Sequence, residues 1–270
     1  MDKNKNDFPA LSRLDMAVFT YDETDSTALR AREYAVGGGT PPAVFIANSQ
    51  TQGRGRLGRS FYSPKDTGIY LSMLLSSPED QSHILSMTAA AAVATRRAIL
   101  LATGIDTKIK WVNDIYIGNK KIAGILAESF FAQSLRFISV GVGINLSTED
   151  FPPELCASAG SLMDGGASRE GLAELKRKLT SALTLELFTL LSSPPTPSLM
   201  EEYRSASAVL GKRVRFWENG TCGEGVAEDI DPLGALILRL EGGDIKRLAS
   251  GEITLRMAED ENKNNGEYRL

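Results

Sequence analysis

The spacing of hydrophobic positions changes along the chain and divides it into two parts. Between residues 16 and 209, short apolar runs alternate with longer amphipathic stretches, which is typical of a sheet with helices packed on it. Between residues 210 and 257, apolar positions recur at every second residue in the runs RVRFW, GEGVAEDI, GALILRL, DIKRL and EITLR. The pattern predicts an α+β fold, in which a mixed sheet flanked by helices precedes a small SH3-like β-barrel.

Individual elements follow from the same pattern. Helices are predicted at residues 28–35, after the cap-type residues Asp25, Ser26 and Thr27, and at residues 83–103, 169–191 and 198–207. Strands of the first part are predicted at residues 16–21, 43–47, 69–75, 107–111, 114–117, 122–131 and 135–142. The polar and charged ends, residues 1–15 and 258–270, are expected to be disordered.

The composition narrows the possible functions. A formal net charge of −4 argues against a general affinity for nucleic acid. A single histidine, His83, and two distant cysteines, Cys156 and Cys222, argue against a His-ligated metal centre and a Ser-His-Asp triad. The N-terminus has no apolar core of a signal peptide, and no stretch is expected to reach the length of a membrane helix. We therefore expect a cytoplasmic protein with free thiols.

The polar, glycine-rich span at residues 48–68 is too long for a tight hairpin between its flanking strands. Within it, arginine and glycine alternate in the sequence QTQGRGRLGR, residues 50–59. Glycine lets a backbone approach a ligand closely, and arginine supplies forked donors suited to phosphate and carboxylate. A flexible RGG-like segment or a nucleic-acid contact has the same composition, so this span alone leaves the function open.

Two further segments carry polar residues beside predicted turns. Lys110, Asn113 and Asp114 precede a predicted β-turn and Lys121 follows it, so pairing of the two strands would bring Asp114 and Lys121 together. Aspartate there could hold a divalent cation or an attacking amine, and lysine could neutralise an anion; an ordinary charged surface hairpin is the alternative. GVGIN, residues 141–145, is a strand that runs into a glycine-flanked turn and is weak evidence alone.

Together, these motifs resemble those of biotin–protein ligases. TDST, QTQGRGRLGR, KWVNDI, KKIAGILAE and VGVGIN occur in that family's order and approximate spacing, and SGEITLR resembles the end of its C-terminal barrel. The resemblance extends from about residue 18 to residue 256 and is to the form without the N-terminal helix-turn-helix repressor domain.

The resemblance implies an activity and its partners. The enzyme would activate biotin with ATP to biotinyl-5′-AMP, with Mg²⁺, and then transfer biotin to a lysine of a biotin carboxyl carrier protein. We therefore expect a monomer or homodimer that binds neither DNA nor membrane.

The resemblance also implies roles for particular residues. Arg56, Lys121 and Asp114 are the implied catalytic residues: Lys121 would bridge the biotin carboxylate and the α-phosphate, while Asp114 would orient the acceptor lysine and, through ATP, hold Mg²⁺. The residues implied to bind biotin are Ser26, Thr27, Ala28, Gln50, Gly53, Arg54, Gly55, Arg56, Lys121 and Gly124. The residues implied to bind ATP or the adenylate are Arg54, Arg56, Arg59, Lys110, Trp111, Asn113, Asp114, Gly141 and Asn145.

The chain departs from the family's pattern at three positions, and two other functions compete. Ala28 replaces a common Asn, Val112 replaces the Pro of KWPND, and Leu57 stands where an Arg is often found. A lipoate or octanoate–protein ligase is the nearest rival enzyme, but the arginine–glycine span, KWxND and the terminal barrel favour biotin. A biotin-binding regulator without catalysis is the other rival; the presence of Lys121 and Asp114 argues against it.

Overall fold

The computed structural model describes residues 8–76, 83–149, 151–163, 168–218 and 220–255. Its first part is built on a seven-stranded sheet with the strand order β1-β2-β3-β7-β6-β5-β4. The strands are β1 (Ala17–Thr24), β2 (Ala43–Gln50), β3 (Gly68–Ser76), β4 (Lys108–Lys110), β5 (Asp114–Ile117), β6 (Lys120–Ala132) and β7 (Leu135–Asn145). Only β1 and β2 pair in parallel, so the sheet is mixed, as predicted.

The helices cover the two faces of this sheet unequally. They are α1 (Thr27–Val36), α2 (His83–Thr103), α3 (Pro153–Cys156), α4 (Arg169–Leu191) and α5 (Pro197–Ser205). Leu71 and Met73 of β3 join the larger core, which includes α2 and α4, whereas Leu74 joins a smaller cluster with α1. Because neighbouring strand residues point to opposite faces, α2 and α4 cover one face and α1 covers part of the other. The remainder of the α1 face is available for a ligand.

The second part is a five-stranded antiparallel sheet in the order β11-β10-β9-β8-β12, which fits the predicted SH3-like domain. Its strands are β8 (Arg213–Glu218), β9 (Thr221–Ile230), β10 (Leu236–Arg239), β11 (Ile245–Leu248) and β12 (Glu252–Leu255). In β8, Val214 and Phe216 are buried while Arg213 and Arg215 are exposed, which is the alternation that the sequence predicts.

Hydrogen bonds join the two parts. Trp111 Nε1 donates to the carbonyl oxygen of Gly234 at 2.9 Å in a buried contact, and within the first part the Tyr203 hydroxyl of α5 donates to the carbonyl oxygen of Val112 at 2.9 Å. Arg204 Nε donates to the carbonyl oxygen of Ile230 at 2.6 Å. The residues that follow Lys110 in sequence are thus held against α5 and the terminal barrel.

Three expectations need correction or fall outside the described residues. Disorder over residues 1–15 is wrong where the structure describes them, because Pro9–Leu11 forms a 3-10 turn and Leu11 is fully buried in the core. The expected disordered tail lies outside the described residues. The expectation that no stretch reaches the length of a membrane helix is also wrong, because Ile84–Thr103 in α2 is long and apolar enough to cross a membrane. However, 67% of its apolar segment is buried inside the protein. This burial is that of a core helix.

Candidate functional site

A cavity of about 630 Å³ opens on the α1 face of the sheet, at the N-terminal end of α1. All the residues predicted to bind biotin, ATP or the adenylate line this cavity except Gly53. They come from α1, β2, the arginine–glycine span, the β4–β6 region and β7, so the fold brings together segments that are far apart in sequence. Gly53 is buried in the loop instead, where a Cβ would lie 2.3 Å from the carbonyl oxygen of Phe61.

One end of the cavity is lined by neutral hydrogen-bonding groups. Gln50 Oε1 accepts from the backbone N–H of Thr27 at 2.8 Å and from its hydroxyl at 3.1 Å. Gln50 Nε2 donates to Ser63 Oγ at 3.0 Å, and the hydroxyls of Thr27 and Ser72 lie 2.8 Å apart. Ser26 precedes α1 without capping it through its side chain. Amide and hydroxyl groups of this kind suit a neutral polar ligand that both donates and accepts hydrogen bonds.

The arginine–glycine span folds over the cavity and is tied to both parts of the chain. Arg56 Nη1 donates to Asn113 Oδ1 at 2.9 Å, and Arg56 Nη2 donates to the carbonyl oxygen of Gly251 at 3.1 Å. Arg54 forms an ion pair with Glu128 at 3.6 Å. Arg56 therefore connects the loop to the strand β5 region and to the turn before β12.

The β5–β6 hairpin brings the predicted lysine and aspartate together. Lys121 Nζ lies 2.7 Å from Asp114 Oδ1. Asp114 pairs with Gly124 and Tyr116 pairs with Lys121, and the register shifts between Ile115 and Tyr116, so the two charged side chains share a face. The contact is an ion pair, and it leaves Asp114 Oδ1 buried from solvent beside the Lys121 ammonium. The Asp114 side chain is 22% exposed, so its carboxylate can still meet a positively charged group of a ligand.

Lys110 and Tyr116 lie beside this pair. Lys110 Nζ is 5.4 Å from the centre of the Tyr116 ring, in cation–π contact. Burial, together with the nearby negative charge of Asp114, raises the pKa of Tyr116 to about 12. The Tyr116 hydroxyl is therefore protonated at neutral pH and can act as a hydrogen-bond donor, not as a general base.

The donor set for a metal ion is small. Among residues 8–76, 83–149, 151–163, 168–218 and 220–255, no three His, Cys, Asp or Glu side chains form a group suited to a metal. Asp114 is the carboxylate that lines the cavity. Mg²⁺ is commonly held by one or two carboxylates together with substrate phosphates, and a lone Asp114 fits that arrangement.

Family models match both parts of the chain. Residues 26–145 match the Biotin/lipoate A/B protein ligase family, and residues 209–256 match the Biotin protein ligase C terminal domain. The biotin–[acetyl-CoA-carboxylase] ligase of Mycobacterium tuberculosis is 34% identical over 218 residues, which are 79% of this chain and 79% of that protein. The chain belongs to the biotin–protein ligase family.

Other relatives agree with this assignment. The bifunctional ligase/repressor BirA of Bacillus spizizenii is 33% identical over 238 residues, which are 87% of this chain and 72% of that protein. The structure of a biotin protein ligase from Aquifex aeolicus, in complex with biotin and ATP, superposes with a TM-score of 0.72 at 27% identity and covers 88% of this chain and 98% of that chain. The family and the fold predicted from the sequence are therefore confirmed.

The structure shows the surroundings of Leu57 and Val112, two of the residues that depart from the family's pattern. Leu57 has a φ of 55° and is 70% exposed, at the tip of the arginine–glycine span. Val112 is buried beside Trp111, and its carbonyl oxygen accepts from Tyr203. Trp111 is buried in the core and also lines the cavity.

Aromatic residues that the sequence did not single out complete the site of this ligase. The Phe61 ring lies against Gly124 and Gly143, where an added Cβ would come within 3.3 Å and 2.4 Å of it. The rings of Tyr62 and Phe151 meet edge to face at 5.3 Å. Glycines 124 and 143 therefore make room for a ring, and this pairing across the sheet is visible only after the strands are in register.

The segment containing α3 was also missed and covers the opposite wall. The backbone N–H of Lys121 donates to Ser158 at 2.9 Å, and that of Gly160 donates back to Lys121 at 2.8 Å. Asn145 Nδ2 donates to the carbonyl oxygen of Gly160 at 3.0 Å. Asn145 thus positions this segment as well as lining the cavity. The only sequence signal was the turn-rich composition that follows GVGIN.

Proposed function

We propose that this chain activates biotin with ATP in the cavity described above and transfers it to a lysine of a biotin carboxyl carrier protein. The observation that carries the proposal is one continuous cavity with two chemically different ends. A neutral end contains Thr27 and Gln50, and a cationic end contains Arg56 and Lys121. The first suits the ureido ring of biotin, and the second suits its carboxylate and the phosphates of ATP.

The first half-reaction joins two anions. A carboxylate oxygen of biotin attacks the α-phosphorus of ATP, the bond to the β-phosphate oxygen breaks, and pyrophosphate leaves with that electron pair. Lys121 and Arg56 offset the repulsion between carboxylate and phosphate and stabilise the charge that builds up on the phosphate oxygens. Arg54 and Arg59 also line this end and add positive charge around the triphosphate.

Asp114 would hold a Mg²⁺ ion that arrives with ATP, because its partly exposed carboxylate lines the cavity. A bound Mg²⁺ would supply further neutralisation of phosphate charge.

The second half-reaction requires a neutral amine near the acyl group. The carrier lysine nitrogen attacks the acyl carbon of biotinyl-AMP, the acyl–oxygen bond breaks, AMP leaves, and the nitrogen loses a proton. The partly exposed Asp114 carboxylate can accept a hydrogen bond from that amine, orient it and take up the proton that it loses. Phe61 and Tyr62 cover the cavity and limit attack by water on the acyl phosphate.

The proposal also includes the division into domains, the cellular compartment and the oligomeric state. Residues 16–209 form the catalytic domain and residues 210–257 form the terminal barrel, whose Gly251 contributes to holding Arg56. The enzyme works in the cytoplasm as a monomer or homodimer without binding DNA. The two cysteines are free and exposed, which suits a reducing compartment.

The test measures which acid the purified protein activates. Biotin-dependent exchange of pyrophosphate into ATP, with biotinyl-AMP identified by mass spectrometry, is the expected result. Lipoate and octanoate should give little exchange, because they offer no group for the neutral end of the cavity. Exchange driven by lipoate or octanoate in preference to biotin would favour the rival ligase, and biotin binding without adenylate would favour the regulator.

A further inference from the structure

Ser72 is a buried polar residue on the floor of the cavity. It lies in β3 among apolar side chains, is 1% exposed, and lines the cavity beside Gly141. Its hydroxyl makes a hydrogen bond with Thr27 at 2.8 Å. Burying a hydroxyl in a sheet is unfavourable unless its hydrogen-bonding capacity is used, so the remaining capacity of Ser72 is informative.

The orientation of Gln50 fixes the direction of the hydrogen bonds. The backbone N–H of Thr27 points at one end of the Gln50 amide at 2.8 Å, so that end must be the oxygen. The opposite end faces Ser63, whose hydroxyl donates to the carbonyl oxygen of Phe61 at 2.9 Å and therefore accepts from Gln50 Nε2. The hydrogen bonds at both ends of the Gln50 amide therefore support the same placement of its oxygen and nitrogen.

This assignment determines where each hydroxyl proton lies. Thr27 Oγ1 is 3.1 Å from Gln50 Oε1, an oxygen without a proton, so the Thr27 hydroxyl donates to Gln50. Thr27 has no second proton, so in its 2.8 Å contact with Ser72 the donor is Ser72. The Ser72 oxygen is then left with lone pairs alone, and Gln50 Nε2 keeps one N–H beyond the one given to Ser63.

We infer that Ser72 is a specificity-determining residue whose oxygen accepts a hydrogen bond from an N–H of the ligand's cyclic urea. The inference rests on the proposed function. The acceptor on Ser72 and the remaining donor on Gln50 match the N–H and C=O of a urea. An acid with a hydrocarbon end, such as octanoate, leaves both groups without a partner, and such sites reject analogues that lack the matching group.

The test compares Ser72→Ala with Ser139→Ala by calorimetric binding of biotin, dethiobiotin and octanoate. Ser139 is the matched control, because it is a buried serine on β7 whose hydroxyl has no hydrogen-bond partner and does not line the cavity. Ser72→Ala should weaken biotin and dethiobiotin, which both carry the urea, by about tenfold or more and leave octanoate unchanged. Ser139→Ala should leave the binding of all three acids unchanged.

A second measurement uses biotin methylated on a ureido nitrogen. The wild type should bind at least one of the two N-methyl isomers about tenfold more weakly than biotin, and Ser72→Ala should bind that isomer at least as well as the wild type does. Equal binding of biotin by wild type and Ser72→Ala, or equal weakening of biotin and octanoate, would overturn the inference. Absence of any biotin binding by the wild type would overturn the proposed function and the inference together. Normal biotinyl-AMP formation by the wild type, together with unchanged biotin binding by Ser72→Ala, would overturn the inference and leave the proposed function intact.

Discussion

The charged pair Lys121 and Asp114 is where the local chemistry of the site is most concentrated. The two side chains lie 2.7 Å apart on one face of the β5–β6 hairpin, at the cationic end of the cavity. A lysine held by one aspartate is positioned before substrates arrive, so its charge is available without a large rearrangement. Substrate carboxylate and phosphate would then share Lys121 with Asp114.

Replacing Lys121 by alanine should slow biotinyl-AMP formation by about a hundredfold or more, because one fixed charge is removed from the forming transition state. Quenched-flow measurement of pyrophosphate release checks this. Lys120→Ala is the control, since Lys120 is exposed on the same strand and does not line the cavity. A near-normal burst of pyrophosphate from Lys121→Ala would remove Lys121 from the chemical step.

The sequence predicted cavity residues correctly where they belong to a recognisable motif. It missed residues whose position in the cavity depends on the register between distant strands. Lys121 and Asp114 were paired correctly, because the turn between their strands is visible in the sequence. Phe61 and Ser72 were missed. Their roles depend on which residues of β3, β6 and β7 face them, and strand pairing between distant segments is not encoded locally.

At the scale of elements, the arginine–glycine span is the part most able to retain an intermediate. Arg56 bridges Asn113 on one side and the Gly251 carbonyl on the other, so it fastens the loop across the cavity. Removing this bridge should loosen the loop without changing the neutral end of the cavity.

Arg56→Gly should release biotinyl-AMP before transfer and label lysines of unrelated proteins. The physical reason is the loss of two hydrogen bonds that close the loop, together with a charge near the phosphate. Biotinylation of added serum albumin, detected by streptavidin blot, is the measurement. Arg13→Gly, at an exposed position outside the cavity, should not label albumin. Unchanged retention of the intermediate by Arg56→Gly would show that Arg56 is not a clamp.

Helix α4 carries a lysine in an unusual environment. Lys176 Nζ donates to Asn48 Oδ1, and burial lowers the pKa of Lys176 from 10.5 to about 8. The unfolded chain therefore binds a proton at Lys176 that the folded chain lacks between about pH 8 and 10.5. The free energy of unfolding therefore increases as the pH rises from about 8 to 10.5, because the cost of burying a charged lysine disappears. This gain is lost again as the pH falls towards 8.

Lys176→Met should make this dependence visible, because methionine keeps an apolar chain of similar length without a titrating group. The free energy of unfolding of the wild type, minus that of the variant, should increase between about pH 8 and 10. Urea unfolding at several pH values measures the difference. Lys178→Met, at an exposed position of the same helix, controls for the change from lysine to methionine itself. A flat or falling difference for Lys176→Met would contradict the lowered pKa.

The predicted elements differ from the observed ones for identifiable reasons. The limits of α2 and α4 agree with the prediction, because long helices have a strong apolar period. Strands β1 and β7 extend beyond their predicted ends, to Thr24 and Asn145, because pairing with neighbouring strands overrides local composition there. Helix α3 has only four residues, too few for a period.

For the whole molecule, the junction between the two parts places the barrel in contact with the site. Trp111 Nε1 donates to the Gly234 carbonyl oxygen in the barrel, and the enclosed Tyr203 of α5 satisfies the carbonyl of the neighbouring Val112. Gly251 in the barrel accepts from Arg56, and Ile253 of β12 lines the cavity. The barrel therefore belongs to the wall of the site, and damage to the junction should affect stability and activity together.

Tyr203→Phe should lower the free energy of unfolding by about 1–3 kcal/mol, since the buried Val112 carbonyl loses its donor. Chemical denaturation checks the value. Tyr34→Phe is the matched control, because the Tyr34 hydroxyl makes a longer, exposed hydrogen bond of 3.4 Å to Thr40. Its loss should change stability by less than about 0.5 kcal/mol. Equal effects of the two changes would mean that the hydrogen bond from Tyr203 to Val112 contributes little.

Synthesis of biotinyl-AMP in this cavity should lead to transfer of biotin to one lysine of a carrier domain. The decisive measurement is intact-mass spectrometry of a biotin carboxyl carrier domain after incubation with the purified protein, biotin, Mg²⁺ and ATP. We expect a single biotinyl group that requires ATP and is absent when the acceptor lysine is replaced by arginine. An unmodified carrier after incubation with folded, biotin-binding protein, or modification of a lipoyl domain in its place, would show that the protein is not a biotin–protein ligase of this kind.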